Sequence, residues 1–119
     1  MPRRPTVHIK RVYEEPREED GLRVLVDRLW PRGLSKEKAG IDLWLKDIAP
    51  SDDLRKWFAH DPNRWEEFQE RYQKELEAKP EVIDELMQKL KEKKTMTLVF
   101  AASDVEHNNA VALKNLIEP

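Results

Sequence analysis

Apolar and polar positions alternate along this chain with two different periods. Val7, Ile9 and Val12 recur within TVHIKRVY (6–13) in a way that predicts a half-buried strand. LRVLVDRL (22–29) and TMTLVFA (95–101) are denser in aliphatic and β-branched residues. They predict inner strands with apolar side chains on both faces, as a parallel sheet requires. Elsewhere the period lengthens to three and four residues, the spacing of one helix face. This pattern covers Leu43, Trp44 and Ile48, then Leu54, Trp57 and Phe58, then Trp65, Phe68, Tyr72 and Leu76. It returns in EVIDELMQKLKEK (81–93) through Val82, Ile83, Leu86, Met87 and Leu90, and in the last segment (104–119) through Ala110, Val111, Leu113, Leu116 and Ile117.

Capping residues punctuate these helices. Ser35 follows the turn at Gly33, Ser51 precedes Asp52 and Asp53, and Asp61 precedes Pro62 at a first helical position. The order strand, strand, helices, strand, helix predicts an α/β fold: a single compact layered domain over 1–119, with a small, mainly parallel sheet flanked by helices. A chain of 119 residues is long enough to bury about two-thirds of its unfolded surface in one core. It contains no internal repeat, low-complexity tract or linker.

Charge narrows the function classes. Charged residues make up 39% of the chain, but the net charge is only -2, so no strong overall field draws nucleic acid or anionic membrane. The helical stretch after His60-Asp61-Pro62 carries Glu66, Glu67, Glu70, Glu75 and Glu77 against Arg64, Arg71 and Lys74. A recognition helix of that balance is repelled by phosphate, which argues against nucleic acid as a partner. The absence of cysteine excludes disulfides, thiolate metal sites and a cysteine nucleophile, and suits a reducing cytoplasm. No apolar run approaches the ~20 residues of a membrane span, and the N-terminus lacks the apolar core of a signal peptide.

The candidate chemistry lies at two predicted strand ends. Strand alternation puts Arg23, Leu25, Asp27 and Leu29 on one face and Val24, Val26, Arg28 and Trp30 on the other, so Asp27 and Arg28 are expected to point apart. Each then needs its own partner, because an unpaired charge at a buried strand end is costly. Open parallel sheets bind ligands beyond the carboxyl ends of their strands, where DRLWPRG (27–33) is expected to sit. The later strand runs into ASDVEHNN, which is expected to place Glu106, His107 and Asn108 in the first turn of a helix. Parallel strands would gather Asp27, Arg28, Arg32, Asp104, His107 and Asn108 at one edge.

There Arg28 and Arg32 could hold a phosphate or carboxylate, and His107 could transfer a proton with Asp27 or Asp104 orienting it. Trp30 counts among the ligand contacts, although the tryptophans as a group read as core. His60 and Asp61 join only if their helix junction folds toward the same edge. Plainer readings stand beside these. Ser103 or Asp104 serves as a helix cap, with Ser103 and Glu106 forming a capping box. Asp61 is a cap, His60 complements a helix dipole, His8 is exposed, and Pro31 and Gly33 shape a turn. His60, Asp61, Asp104 and His107 lack a metal-ligand spacing such as HExxH, so no metal site is assigned. P-loop, GxGxxG, GxSxG and EF-hand motifs are absent.

DGLRVLVDRLWPRG, WLKDIAPSDDLRKWFAHDPNRWEEFQERYQKEL and TLVFAASDVEHNNAVAL together resemble the YeaO-like branch of the family known as domain of unknown function 488. The resemblance covers nearly the whole chain in order, and WPRG, HDP-x-x-W and D-x-x-H-N carry it. It implies a small cytoplasmic prokaryotic α/β protein. The recurring motif positions fall here on Asp27, Arg28, Trp30, Pro31, Arg32, Gly33, His60, Asp61, Asp104, His107 and Asn108. It supplies no activity, substrate or cofactor. The roles therefore rest on chemistry: a pocket for a small anion of phosphate or nucleotide type, with hydrolysis or group transfer as the class of any catalysis. The alternative is a noncatalytic interaction or scaffold protein whose polar clusters are structural ion pairs. Catalysis, cofactor and oligomeric state stay open.

Overall fold

Strand β4 (Thr95–Phe100) organises the sheet in the computed structural model, which describes residues 5–118. It pairs in parallel with β1 (Thr6–Arg11) on one side and with β2 (Leu22–Leu25) on the other. A short β3 (Leu43–Trp44) adds in parallel to β2, giving the order β1-β4-β2-β3. The central place of β4 explains its composition: Met96 through Phe100 are all buried, and neighbours cover both edges. The predicted α/β fold with its parallel sheet is the one observed.

Alternation along β4 divides the core. Met96, Leu98 and Phe100 join Val7 and Val24 in the larger apolar cluster, into which four helices pack. These are α2 (Asp52–Phe58), α3 (Trp65–Glu77), α4 (Pro80–Lys93) and α5 (Asn109–Ile117). Val99 instead meets Val12 and Ala39 in a smaller cluster, to which the short α1 (Lys36–Ala39) contributes. Ser35 and Ser51 cap α1 and α2 as their spacing predicts, accepting from the amides of Lys38 and Leu54. Asp61 likewise caps the 3-10 turn Pro62–Arg64 that leads into α3.

A buried ionic clasp ties the first strands together. Asp20 accepts from Arg23 Nη1 (2.6 Å), Lys10 Nζ (3.1 Å) and the Arg17 amide (3.0 Å). Arg23 also donates to the Gly40 and Ala39 carbonyls, and Thr97 Oγ1 donates to the Asp20 carbonyl. Burial alone would raise the Asp20 carboxyl. The Arg17 amide and the two cations outweigh it and hold the group below its ordinary value.

Three expectations need correction. The stretch holding Leu43, Trp44 and Ile48 is not an amphipathic helix but strand β3 followed by the 3-10 turn Lys46–Ile48. The open edge of β2 captures it: the Leu45 amide donates to the Leu25 carbonyl, and Asp42 accepts from the Arg23 amide. Tertiary pairing of this kind overrides local period. The second strand ends at Leu25, so alternation does not extend through Trp30. The last helix begins at Asn109, not in the 104–108 stretch. Asp104 instead accepts from the amides of Glu106 and His107, closing a local turn. Asn108 is the helix cap, through the Val111 amide, and the Ser103–Glu106 capping box does not form. Among the described residues no helix is long and apolar enough to cross a membrane.

Candidate functional site

Because β2 and β4 are parallel, the segments that follow them emerge at the same sheet edge. A cleft of about 570 Å³ opens there. The chain after β2 turns sharply to reach it. Pro31 is buried, Trp30 Nε1 donates to the Leu34 carbonyl (2.7 Å), and the Trp30 ring meets Trp44 edge-on at 5.5 Å. Arg32 and Gly33 form the tip, and Tyr13 Oη donates to the Arg32 carbonyl. Gly33 adopts a φ of 78°, a conformation side chains resist. The WPRG sequence thus buries its proline and half-buries its tryptophan to present one arginine.

Asp27, Arg28, Trp30, Arg32, His60, His107 and Asn108 all line the cleft, and Asp61 and Asp104 do not. Asp27 turns inward. Its carboxylate accepts from the Ala101 amide (2.8 Å) and Asn109 Nδ2 (3.2 Å), which joins the two strand ends. Burial pushes the Asp27 carboxyl up, against the opposing effects of these two donors and the Arg55 charge. Arg28 and Arg32 are exposed, and among the described residues their side chains make no ion pair or hydrogen bond.

His60 reaches the cleft through unusual backbone. Ala59 and His60 are successive left-handed residues, with φ of 46° and 57°. The chain must reverse between the end of α2 and the Pro62 turn, and Pro62 itself favours extended backbone at Asp61 (φ -88°, ψ 110°). The reversal therefore falls on Ala59 and His60, at about 1–2 kcal/mol for each such residue. His107 is held more conventionally. Its Nδ1 lies 3.0 Å from Asp104 Oδ2, and its ring meets the Trp65 edge at 5.3 Å. The Glu106 amide, followed by His107, keeps the Asp104 carboxyl below its ordinary value. Asn108 is buried and committed at both ends of its amide, to the Val111 amide and the Asp104 carbonyl.

The sequence reading missed three contributors. Arg55 and Lys56 line the cleft from α2, and Asn109 anchors Asp27. Nothing in the helical period told which polar residues of α2 face a neighbouring loop. Asn109 carried a signal in the Asn-Asn pair before an apolar helix, since the first residue caps and the second is free to bond elsewhere. Among the described residues Asp27 is the one carboxylate in the lining, against Arg28, Arg32, Arg55 and Lys56, so the cleft is cationic although the chain is not. Phe58, Phe68, Trp30 and Tyr13 add aromatic surface. Among the described residues no three His, Asp or Glu side chains are placed to share a metal ion.

Residues 6–119 match a protein family described as the inactive DUF488-N3 subclade. An uncharacterised protein of Mycobacterium tuberculosis is 40% identical over 117 residues, covering 98% of each chain. A second, from Mycobacterium bovis, matches to the same extent. The uncharacterised protein YeaO of Escherichia coli is 38% identical over 107 residues, 90% of this chain and 92% of its own. No solved structure matches. The match runs from β1 past the end of α5, as the order of WPRG, HDP-x-x-W and D-x-x-H-N implies, and the chain belongs to the inactive DUF488-N3 subclade, among the YeaO-like proteins.

Proposed function

We propose that the protein binds a small anionic molecule, of phosphate or nucleotide type, in the cleft at the carboxyl ends of β2 and β4. One observation carries this reading. Arg28 and Arg32 flank a concave, partly aromatic space without carboxylate partners among the described residues. Arginine left unpaired beside a cleft is suited to bidentate capture of phosphate or carboxylate. His60 and Trp30 border the same space and supply further polar and apolar contact. Asp27 and Asn108 shape the wall, since their polar atoms are already committed within the protein.

Binding without turnover is the form of this reading that we favour, because the family is described as inactive. A second form rests on the hydrogen bond between His107 Nδ1 and Asp104. In it, Asp104 fixes the imidazole while Nε2 acts as a general acid or base for hydrolysis or group transfer, with Asp27 nearby.

Thermal unfolding against orthophosphate and a nucleotide panel tests the proposal. A ligand at a hundred times its dissociation constant adds about 2.7 kcal/mol, a clear rise in melting temperature. Arg32→Ala is expected to fold as the wild type does and to lose that rise. Equal melting temperatures with and without every anion would leave the scaffold alternative as the better reading. Release of product from a phosphate ester, lost in His107→Ala, would favour the catalytic form.

A further inference from the structure

We infer that the cleft is built for an anion with two or more linked phosphate groups, held between two cationic walls; the inference rests on the anion-binding reading above. The first wall is the bend after β2, with Arg28 and Arg32. The second is α2, which contributes Arg55 and Lys56, two successive residues that both reach the cleft lining.

The second wall is firmly placed. Leu54 and Phe58 bury one face of α2 in the main core. Its N-terminus is clamped to α3 by Glu75, which accepts from the Ser51 amide (2.8 Å) and from Ser51 Oγ (2.5 Å), while that same Oγ accepts from the Leu54 amide (3.1 Å). Arg55 and Lys56 are therefore fixed at their backbones while their side chains stay exposed.

The two walls face a common space. Asp52, at the start of α2, is ion-paired with Arg55, and the charges of Arg55 and Arg28 both help to lower its carboxyl below the ordinary value. One acidic group thus senses cations from both walls. A single phosphate can satisfy the arginine fork of one wall. Linked phosphates can engage both, and the cleft's aromatic surface at Trp30 and Phe58 leaves room for an organic group attached to them. The ligand class is accordingly a diphosphate or triphosphate ester. Asp52 then competes with the ligand for Arg55, and its removal tightens binding.

Isothermal titration of orthophosphate, pyrophosphate and tripolyphosphate into the full chain decides the matter. The wild type is expected to bind pyrophosphate at least about tenfold more tightly than orthophosphate, the effect of one added close charge contact. The double variant Arg55→Gln, Lys56→Gln is expected to keep orthophosphate affinity within about threefold and to lose most of the preference. Asp52→Asn is expected to tighten pyrophosphate several-fold. All three positions are exposed, and unchanged melting temperatures would exclude misfolding. Orthophosphate binding that depends on Arg32, with no preference for pyrophosphate or with a preference that survives the double variant, overturns the two-wall inference and leaves the anion pocket standing. Failure of the wild type to bind any of the three overturns both.

Discussion

Asn109 Nδ2 donates to the Val26 carbonyl (2.9 Å) and to the Asp27 carboxylate (3.2 Å), so the first residue of α5 is fastened to the end of β2. This one amide sets where the last helix begins relative to the cleft. Asn109→Ala removes a donor from a carboxylate that burial already disfavours. The expected cost is about 1–3 kcal/mol, the usual penalty for leaving a buried polar group short of a partner. Urea unfolding measures it, and a loss below about 0.5 kcal/mol would show that solvent replaces the amide.

Asp20 and Asp27 are expected to titrate in opposite directions. The folded value of Asp20 is lowered, so its stabilisation is complete above the unfolded value of about 3.9 and is lost as pH falls through the folded one. The folded value of Asp27 is raised, so its contribution is complete below the unfolded value and is lost as pH rises through the folded one. Carboxyl carbon NMR titration is expected to place Asp27 above Asp20. Asp20→Asn is expected to cost about 3 kcal/mol at neutral pH, because the buried Arg23 and the half-buried Lys10 lose the carboxylate they share, and the deficit narrows in acid. A deficit independent of pH would assign the effect to packing.

Two glycines of similar φ, 66° at Gly21 and 78° at Gly33, are expected to tolerate alanine very differently. At Gly33 an added methyl group meets nothing within 4 Å, so only the left-handed conformation opposes it, at about 1 kcal/mol. At Gly21 the added carbon falls 2.3 Å from the Thr95 carbonyl oxygen, at the start of the central strand. Backbone must move there, which adds an overpacking cost of about 1–3 kcal/mol. Denaturant midpoints for Gly33→Ala and Gly21→Ala that coincide would refute the distinction.

His60→Gly is expected to stabilise the protein by about 1 kcal/mol and to weaken anion binding. Glycine accepts a φ of 57° without strain, and the substitution removes a cleft residue. Stability gained at the expense of affinity is the signature of strain held at a binding site. A destabilised variant would mean that the contact of His60 with Phe58 outweighs the backbone term.

Features set by neighbours in sequence were legible from sequence. Ser51 and Asp61 cap where their spacing indicated, and the strand expected over 95–101 is observed at Thr95–Phe100, between β1 and β2. Features set by distant partners were not. Leu43 and Trp44 follow helical spacing, yet the edge of β2 makes them a strand. DVEHN reads as a first helical turn, yet Asp104 turns back on the amides of Glu106 and His107. At the cleft, the strand ends pointed to Arg28, Arg32 and His107 because parallel pairing decides where loops emerge. Arg55 and Lys56 lay beyond that logic, since the rotation of α2 is fixed by Leu54, Phe58 and the Ser51–Glu75 clamp.

The strand order also dictates when the protein can fold. β1 and β2 do not touch as sheet neighbours; β2 can pair early with β3, but β1 and the other edge of β2 wait for β4, which is made some seventy residues after β2 ends and fills the gap between them. During synthesis the first fifth of the chain leaves the ribosome with its strand edges unsatisfied. The helices from α2 to α4 can gather first through local contacts, but the sheet closes only when residues 95–100 emerge. Pairings this distant slow folding and prolong the exposure of apolar strands. Of the four described strands, the latest in the chain is the one that joins β1 to β2.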